Sequence, residues 1–442
     1  MYRLVVFIGL SVILFPAFSQ EPETFADFNN RTYTLYERKQ WKELLETGRK
    51  ALKKGYDFYY LRMRMGIAAY EKKNYVRAIH HFRKALIFSK NDPLALEYLY
   101  YAYLFTGRDI EAGRLTERMP VAVVKEKGYD NKKNLTGLDL SATYFSKTGL
   151  FVVPQNTSTV LAGEGWRNMD ESGGEASVLI EWKTGKNSRM HTGYRFLSKQ
   201  RSAYLLDSGQ GTYYSPNIYN QHFFYTDYQA GIFRDTYLKL SAGYLNLRSR
   251  FAATGRWGLS HIEVFPEHNF TGHLSLRHDF PYLSLVAGAG VSNLNYYSQT
   301  QQDAEMILYP LGNRNLYLSG AVTNAVQQAT DRAFSHSFFG SAALGVRIAK
   351  PVWLELYGST GDRYNVQLPD GWHIYNEFNP VSSVFGGDVL ISFPEKNLVI
   401  NAGYYQSAVT SWYFYKYQEM LYRNEPIQYN LINIYGGLQW KF

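Results

Sequence analysis

Cysteine is absent from the 442 residues. That excludes a disulfide framework, a thiolate metal site, a cysteine nucleophile and an N-terminal lipid anchor carried on cysteine. Long apolar runs are missing too: beyond Leu4 to Phe15, no segment reaches the roughly 18 residues that a spanning helix needs. Any membrane crossing must therefore use strands. No phosphate loop, Gly-x-Ser-x-Gly elbow or zinc-spaced Cys/His cluster occurs, so no catalytic or metal-ligating set and no cofactor is expected, and the chain reads as a non-enzyme. His268, His273 and His278 recur every five residues, an interval that alternates faces in a strand and cannot gather one metal site.

What is present divides the chain. Residues 1–19 combine Arg3, an apolar run and the small-residue site Ala17-Phe18-Ser19, the pattern of a secretory signal. From Gln20 to Asn134 there are 23 Lys and Arg against 15 Asp and Glu, whereas from Leu135 onward the two signs balance at 23 each. The basic surplus of the mature chain lies in its first quarter. It suits an anionic lipid surface, an acidic partner or an anionic polymer, or simply a solvated helical face; nucleic acid is not an expected partner of an exported chain.

Within 20–120, self-comparison at an offset of 34 residues aligns Trp41 with Tyr75, Tyr36 with Tyr70, Ala51 with Ala85, and Leu44 with Ala78 and Ala112. Gly66, Ala78 and Ala85 let paired helices approach, and Tyr75 and Phe82 fill the space between pairs. This region resembles the tetratricopeptide repeat, most clearly at 66–86, with atypical outer units. The resemblance implies an inner groove for a peptide or protein, which would present Tyr33, Tyr36, Glu37, Met63, Ile67, Tyr70, Tyr101 and Phe105. Residues 121–134 read as a linker.

From 135 to 442 the pattern changes to period two. Leu238, Leu240, Ala242 and Tyr244, then Leu283 to Val291, then Phe338 to Ile348 at alternate places make one apolar face opposite small or polar residues. Fourteen such segments are predicted, near 135–147, 173–183, 188–199, 219–233, 236–248, 268–279, 282–297, 304–310, 314–325, 337–349, 352–361, 384–393, 397–413 and 428–442. Short turns such as Arg234-Asp235 and Lys350-Pro351 alternate with long polar stretches at 148–172, 200–218, 249–267 and 362–383. Even strand number, short/long rhythm and a final strand closing on Trp440 and Phe442 are the signature of an antiparallel transmembrane β-barrel. Trp182, Trp353 and Trp440 fall at short-turn ends, as an aromatic belt requires.

The fold class predicted is therefore an α-helical repeat domain followed by a barrel of about 14 strands, placed in a bacterial outer membrane with the helices in the periplasm. The expected lumen charges are Glu181, Arg189, Arg195, Asp227, Lys239, Arg277, Arg347, Glu355, Asp388 and Lys441, of mixed sign. A dense outer-side aromatic set includes Tyr404, Tyr405, Trp412, Tyr413, Phe414, Tyr415 and Tyr417, with Tyr213, Tyr214, Tyr219, Phe223 and Phe224. The order of signal, repeats and barrel resembles surface lipoprotein assembly modifiers and polysaccharide-export porins in architecture. That likeness implies export or surface assembly, with a periplasmic or secreted protein or a polysaccharide as cargo, alongside membrane lipid and the barrel-assembly machinery. The alternative reading is a passive porin or channel whose repeats are an assembly contact.

Overall fold

The computed structural model describes residues 23–129, 134–149, 165–207, 211–254, 260–328, 334–377, 379–417 and 420–442. The expected signal at 1–19 and the linker residues 130–133 lie outside the described residues.

Seven α-helices come first: α1 (Phe25–Glu37), α2 (Trp41–Lys53), α3 (Tyr59–Glu71), α4 (Tyr75–Phe88), α5 (Pro93–Phe105), α6 (Asp109–Leu115) and α7 (Val121–Glu126). Their starts are chemically marked. The Thr24 hydroxyl accepts from the Asp27 N–H at 3.3 Å while the Asp27 carboxylate accepts from the Thr24 N–H at 2.8 Å, a reciprocal cap. Asp92 accepts from the Ala95 N–H at 2.7 Å, just ahead of Pro93 in the first helical position. From α1 to α6 each helix packs on the next, and α3 also touches α1 and α5. Phe28, Leu44, Leu61, Met65, Phe82 and Leu96 are buried between them in one continuous core.

The remainder is strand: β1 (Leu135–Thr148), β2 (Gly165–Lys183), β3 (Ser188–Asp207), β4 (Gly211–Phe233), β5 (Thr236–Thr254), β6 (Ser260–Phe280), β7 (Leu283–Ser292), β8 (Ser298–Leu308), β9 (Leu316–Gln328), β10 (Phe334–Ala349), β11 (Val352–Arg363), β12 (Val366–Gln367), β13 (Ile374–Tyr375), β14 (Val381–Phe393), β15 (Leu398–Tyr417) and β16 (Met420–Lys441). All but β12 and β13 form one closed antiparallel barrel of fourteen strands, sealed where β16 pairs with β1. The Phe442 N–H donates to the Thr136 carbonyl at 3.0 Å, so the last hydrogen bond of the seam is in place. Closure leaves no edge whose amides would face hydrocarbon.

Alternation decides which way each residue points. Leu240 is 58% exposed, Phe338 65%, Phe385 71% and Ile434 59%, all on the outer face. A band of this size is untenable in water, and the barrel is transmembrane. Inward neighbours such as Ser241, Ser275, Thr323 and Asn433 are small or polar and largely buried.

The boundaries depart from the sequence reading on the long-loop side. β2 starts at Gly165 instead of 173, β4 at Gly211 instead of 219, β6 at Ser260 instead of 268 and β16 at Met420 instead of 428. There the hairpins continue past the apolar band, so main-chain pairing persists while the hydropathy contrast between faces does not. The segment expected at 282–297 ends at Ser292, and Asn295 and Tyr296 take positive φ in the tight connection that starts β8 six residues before 304.

Trp353 is a second departure. Trp182 and Trp440 face outward, the Trp182 indole N–H donating to the Thr192 hydroxyl at 2.8 Å. Trp353 instead points inward, and the Arg347 guanidinium lies 4.4 Å from its ring.

Candidate functional site

The lumen is approached from both ends by parts of the same chain. From the long-loop rim, residues 364–380 descend into the barrel as a hairpin built on β12 and β13, where the sequence suggested an outer polar loop. Apolar residues hidden in that loop explain the difference. Trp372 and Ile374 pack on Phe223, Tyr225, Leu245 and Leu294; Val366 and Leu368 pack on Ala325 and Phe339; Tyr375 reaches Val381 and Val409. The Arg195 guanidinium stacks 4.5 Å from the Trp372 ring. At the hairpin tip Gly371 has φ +76°, and a Cβ there would come within 2.5 Å of the Ser241 hydroxyl. No other residue fits that turn against the wall.

Polar latches hold the same hairpin. Glu377 accepts from Lys199 Nζ at 2.6 and 2.7 Å and from Arg201 at 3.0 Å, while Asp170 accepts from Arg201 at 2.9 Å and from Lys199 at 3.2 Å. Tyr219 lies beneath both cations at 4.6 and 4.9 Å and donates to the Asn376 carbonyl at 2.9 Å. Lower down, the Asp370 carbonyl accepts from Lys239 and, at 3.1 Å, from the Tyr225 hydroxyl. Sequence reasoning missed this four-charge cluster, because Asp170, Lys199 and Arg201 lie at the ends of the apolar pattern, where facing is hard to assign.

At the other rim the helical module sits on the short turns. α6 contributes Asp109, 3.5 Å from Arg189, and Gly113, where a Cβ would meet the Lys186 carbonyl. Arg83 of α4 grips Asp235 of the β4–β5 turn with both nitrogens, and Arg108 approaches Asp235 at 3.3 Å and Asp279 at 3.5 Å. Arg108 also donates to the Phe280 carbonyl at 3.1 Å, and the Val76 N–H donates to the Gly312 carbonyl at 3.1 Å. Burial pushes Asp235 up, but the Arg83 hydrogen bonds and the nearby cations outweigh it and hold the carboxyl below its usual range. Glu111 has no such cation clamp. Burial, then the charges of Asp235 and Asp279, push it up to about 7, and Tyr237 donates to it.

The sign of that shift gives a pH dependence. A released module would expose Glu111 at its ordinary 4.5, so between 4.5 and 7 the docked form keeps a proton that the free form loses. Docking is therefore weakened as pH rises through that window, by roughly 3 kcal/mol once above it. Glu111→Gln is expected to remove the dependence: the protection of α6 amides, taken relative to their intrinsic exchange rate at each pH, should fall from pH 5 to 8 in the natural chain and stay level in the variant. Equal slopes in the two proteins would refute the assignment.

Between the hairpin tip and α6 remains a chamber of about 240 Å³, walled by Arg189, Gln229, Tyr237, Lys239, Arg277 and Glu305, with Asp109 below and Asp370 above. All ten expected lumen charges lie on inward positions. Glu181, His191 and Asp227 form a chain of contacts at 3.5 and 2.9 Å, extended by Lys441 at 3.7 Å from Glu181 and Lys239 at 3.7 Å from Asp227. Arg195 meets Glu175 at 3.3 Å and Arg277 meets Asp279 at 2.8 Å. Glu355 accepts from Tyr317, Asp388 faces Glu355 across the β11–β14 pair, and Arg347 caps Trp353. His273, also inward, contacts Asp303 at 2.7 Å.

The proposed groove residues are divided. Met63 and Ile67 are buried in the helical core and offer no surface. Tyr36 packs on Trp41, Tyr70 on Tyr75, Tyr98 and Phe105, and Tyr101 accepts from the Tyr129 hydroxyl at 3.0 Å. Tyr33, Glu37 and Phe105 remain exposed, with Arg64 stacked 5.2 Å from Tyr33. The outer aromatic set is divided as well: Tyr219, Phe223 and Tyr405 point into the lumen, whereas Phe224 and Tyr404 face outward. The side chains of Tyr213, Tyr214, Tyr413, Phe414, Tyr415 and Tyr417 lie outside the described residues.

No family model matches this chain, and no curated protein does. Among solved structures it is similar to the Pseudomonas putida toluene transporter TodX, at TM-score 0.43 and 8% identity over 70% of this chain and 90% of that one. A Pseudomonas aeruginosa FadL homologue gives TM-score 0.44 and 6% identity over 70% and 91%. The Ralstonia pickettii toluene transporter TbuX gives 0.41 and 9% over 70% and 90%. The likeness is one of barrel architecture. The chemistry of the lumen has to be read from its own residues.

Proposed function

We propose that this chain is a non-enzymatic outer-membrane channel with two closures in series, the inward hairpin 364–380 and the helical module, the latter on the periplasmic side. The observation that carries the reading is the polar chamber that the two share with the barrel wall. A barrel serving only as an anchor has no use for a charged cavity lined from both ends, whereas a gated conduit needs one. Short turns and both ends of the barrel lie on the module's side, which supports its periplasmic placement. TodX and TbuX are named as carriers of toluene; the mixed charges here favour a polar solute or polar chain instead.

A second reading gives the module a recruiting role, and exposed Tyr33 and Tyr60 on either side of Arg64 favour it. Helices that pack in consecutive pairs support the tetratricopeptide-like assignment on which that role rests. The two readings combine if a bound partner draws the module off the turns.

Planar-bilayer recording tests the channel. The full chain is expected to stay near baseline, the chain without residues 23–129 to open only partly, and a chain also lacking 366–375 to conduct many-fold more. A doubly deleted barrel that inserts and never conducts would remove the channel reading.

A further inference from the structure

Beside the rim junction, and sharing Arg83 and Glu111 with it, lies a crevice of about 390 Å³ between α4, α5, α6 and the β4–β5 turn. Its wall has two halves. Leu86, Ile87 and Leu99 make one apolar, with Ile87 65% exposed. Arg114, Arg118 and Arg234 make the other cationic. Arg114 donates to the Gly231 and Phe233 carbonyls at 2.7 and 3.4 Å, and Arg118 to the Lys90 carbonyl. Arg234 stands 3.8 Å from Asp235 with its side chain 67% exposed. The hydrogen-bond partners of the first two are carbonyl oxygens, so their charge is oriented without being neutralised. Glu111 is the one carboxyl on this wall, and burial, then the charges of Asp235 and Asp279, push it up toward its neutral form.

Depth identifies what can reach the crevice. Phe233 pairs with Thr236 on the outer face of the barrel and is 71% exposed, and Phe280 ends β6 at the same level. Aromatic side chains at strand ends mark the headgroup zone. Arg234 follows Phe233 directly, so the cationic half stands at phosphate height, and Ile87, with Phe88 beside it at 51% exposure, gives the same crevice an exposed apolar shoulder.

We propose that this crevice binds an anionic glycerophospholipid from the leaflet on the module's side, its phosphate between Arg118 and Arg234 and its acyl chain along Ile87 and Phe233. Arginine forks match phosphate oxygens, and the apolar shoulder selects a lipid over a free anion. A lipid so held bridges module and barrel, because Arg118 belongs to one and Arg234 to the other. The inference needs membrane insertion but not conduction; a chain soluble without detergent would defeat insertion itself.

Native mass spectrometry of the full chain in non-ionic detergent, with equal phosphatidylglycerol and phosphatidylcholine, provides the test. Phosphatidylglycerol should be retained preferentially. Arg118→Gln with Arg234→Gln should weaken retention about tenfold or more, while Arg118→Lys with Arg234→Lys should keep most of it, separating lost charge from lost fold. Ile87→Asn should weaken lipid retention with both arginines intact. Equal retention of the two lipids, undiminished binding by the double glutamine variant, or complete displacement by millimolar inorganic phosphate would each overturn the proposal.

Discussion

Glu377→Ala is expected to free the hairpin 364–380 from the lumen. Lys199 and Arg201 are almost fully buried and share two carboxylates, Asp170 and Glu377, so the cluster is neutral as built. Removing one carboxylate leaves a surplus cation in a site that water does not reach. Breaking a buried pair from one side costs about 3–5 kcal/mol, which raises the open population by a factor of roughly 10²–10⁴. Amide exchange across 364–380 should accelerate by that factor while the β1–β16 seam is unaffected. Trp372 packing and the Lys239 contact remain, so the measured acceleration also reports how far the polar latch outweighs the apolar one. A hairpin that exchanges as slowly without Glu377 would show that packing alone holds it.

Asp235→Ala is expected to loosen the other closure by a similar amount, about 3–5 kcal/mol. Asp235 neutralises Arg83 and faces Arg108, and both guanidiniums are at least half-buried at the junction. Arg108 keeps Asp279 as a fallback, so Arg83 is the cation left stranded. Exchange should quicken in α4 and α6 and at the β4–β5 turn together, and single-channel openings should become frequent in the variant. Because Asp235 is held below its usual range, its share of docking is complete above about pH 4 and is lost as pH falls through the lowered value. Glu111 acts in the opposite direction at higher pH. Docking is consequently strongest in mildly acid solution.

The barrel was readable from the sequence because lipid imposes a strict two-residue alternation, and the expected lumen charges were assigned by the same parity. Parity fails where both faces meet the same solvent. That is why the extended hairpin ends of β2, β4, β6 and β16 went unseen, and why Tyr405, Tyr219 and Phe223 read as surface aromatics while they pack inside. The inward hairpin was illegible for another reason. Val366, Leu368, Trp372, Ile374 and Tyr375 are apolar residues in a stretch otherwise rich in Asp, Asn and Gly, and nothing local says that their pockets lie on β4, β5, β9 and β10. Docking of the helices depends on contacts between residues 83 and 235, or 108 and 279, that no periodicity encodes. The same holds for Met63 and Ile67, whose helix is surrounded on several sides and so buries positions that a single exposed face would present.

The seam between β1 and β16 joins segments separated by almost the whole barrel in chain order. Until the ribosome has released the last of these strands, thirteen others carry two unsatisfied margins, and loop-closure entropy delays their union further. The cylinder can therefore close only after the whole barrel segment has been made, whereas the helices α1 to α7 pack on contacts local in the chain and do not wait for that final stitch.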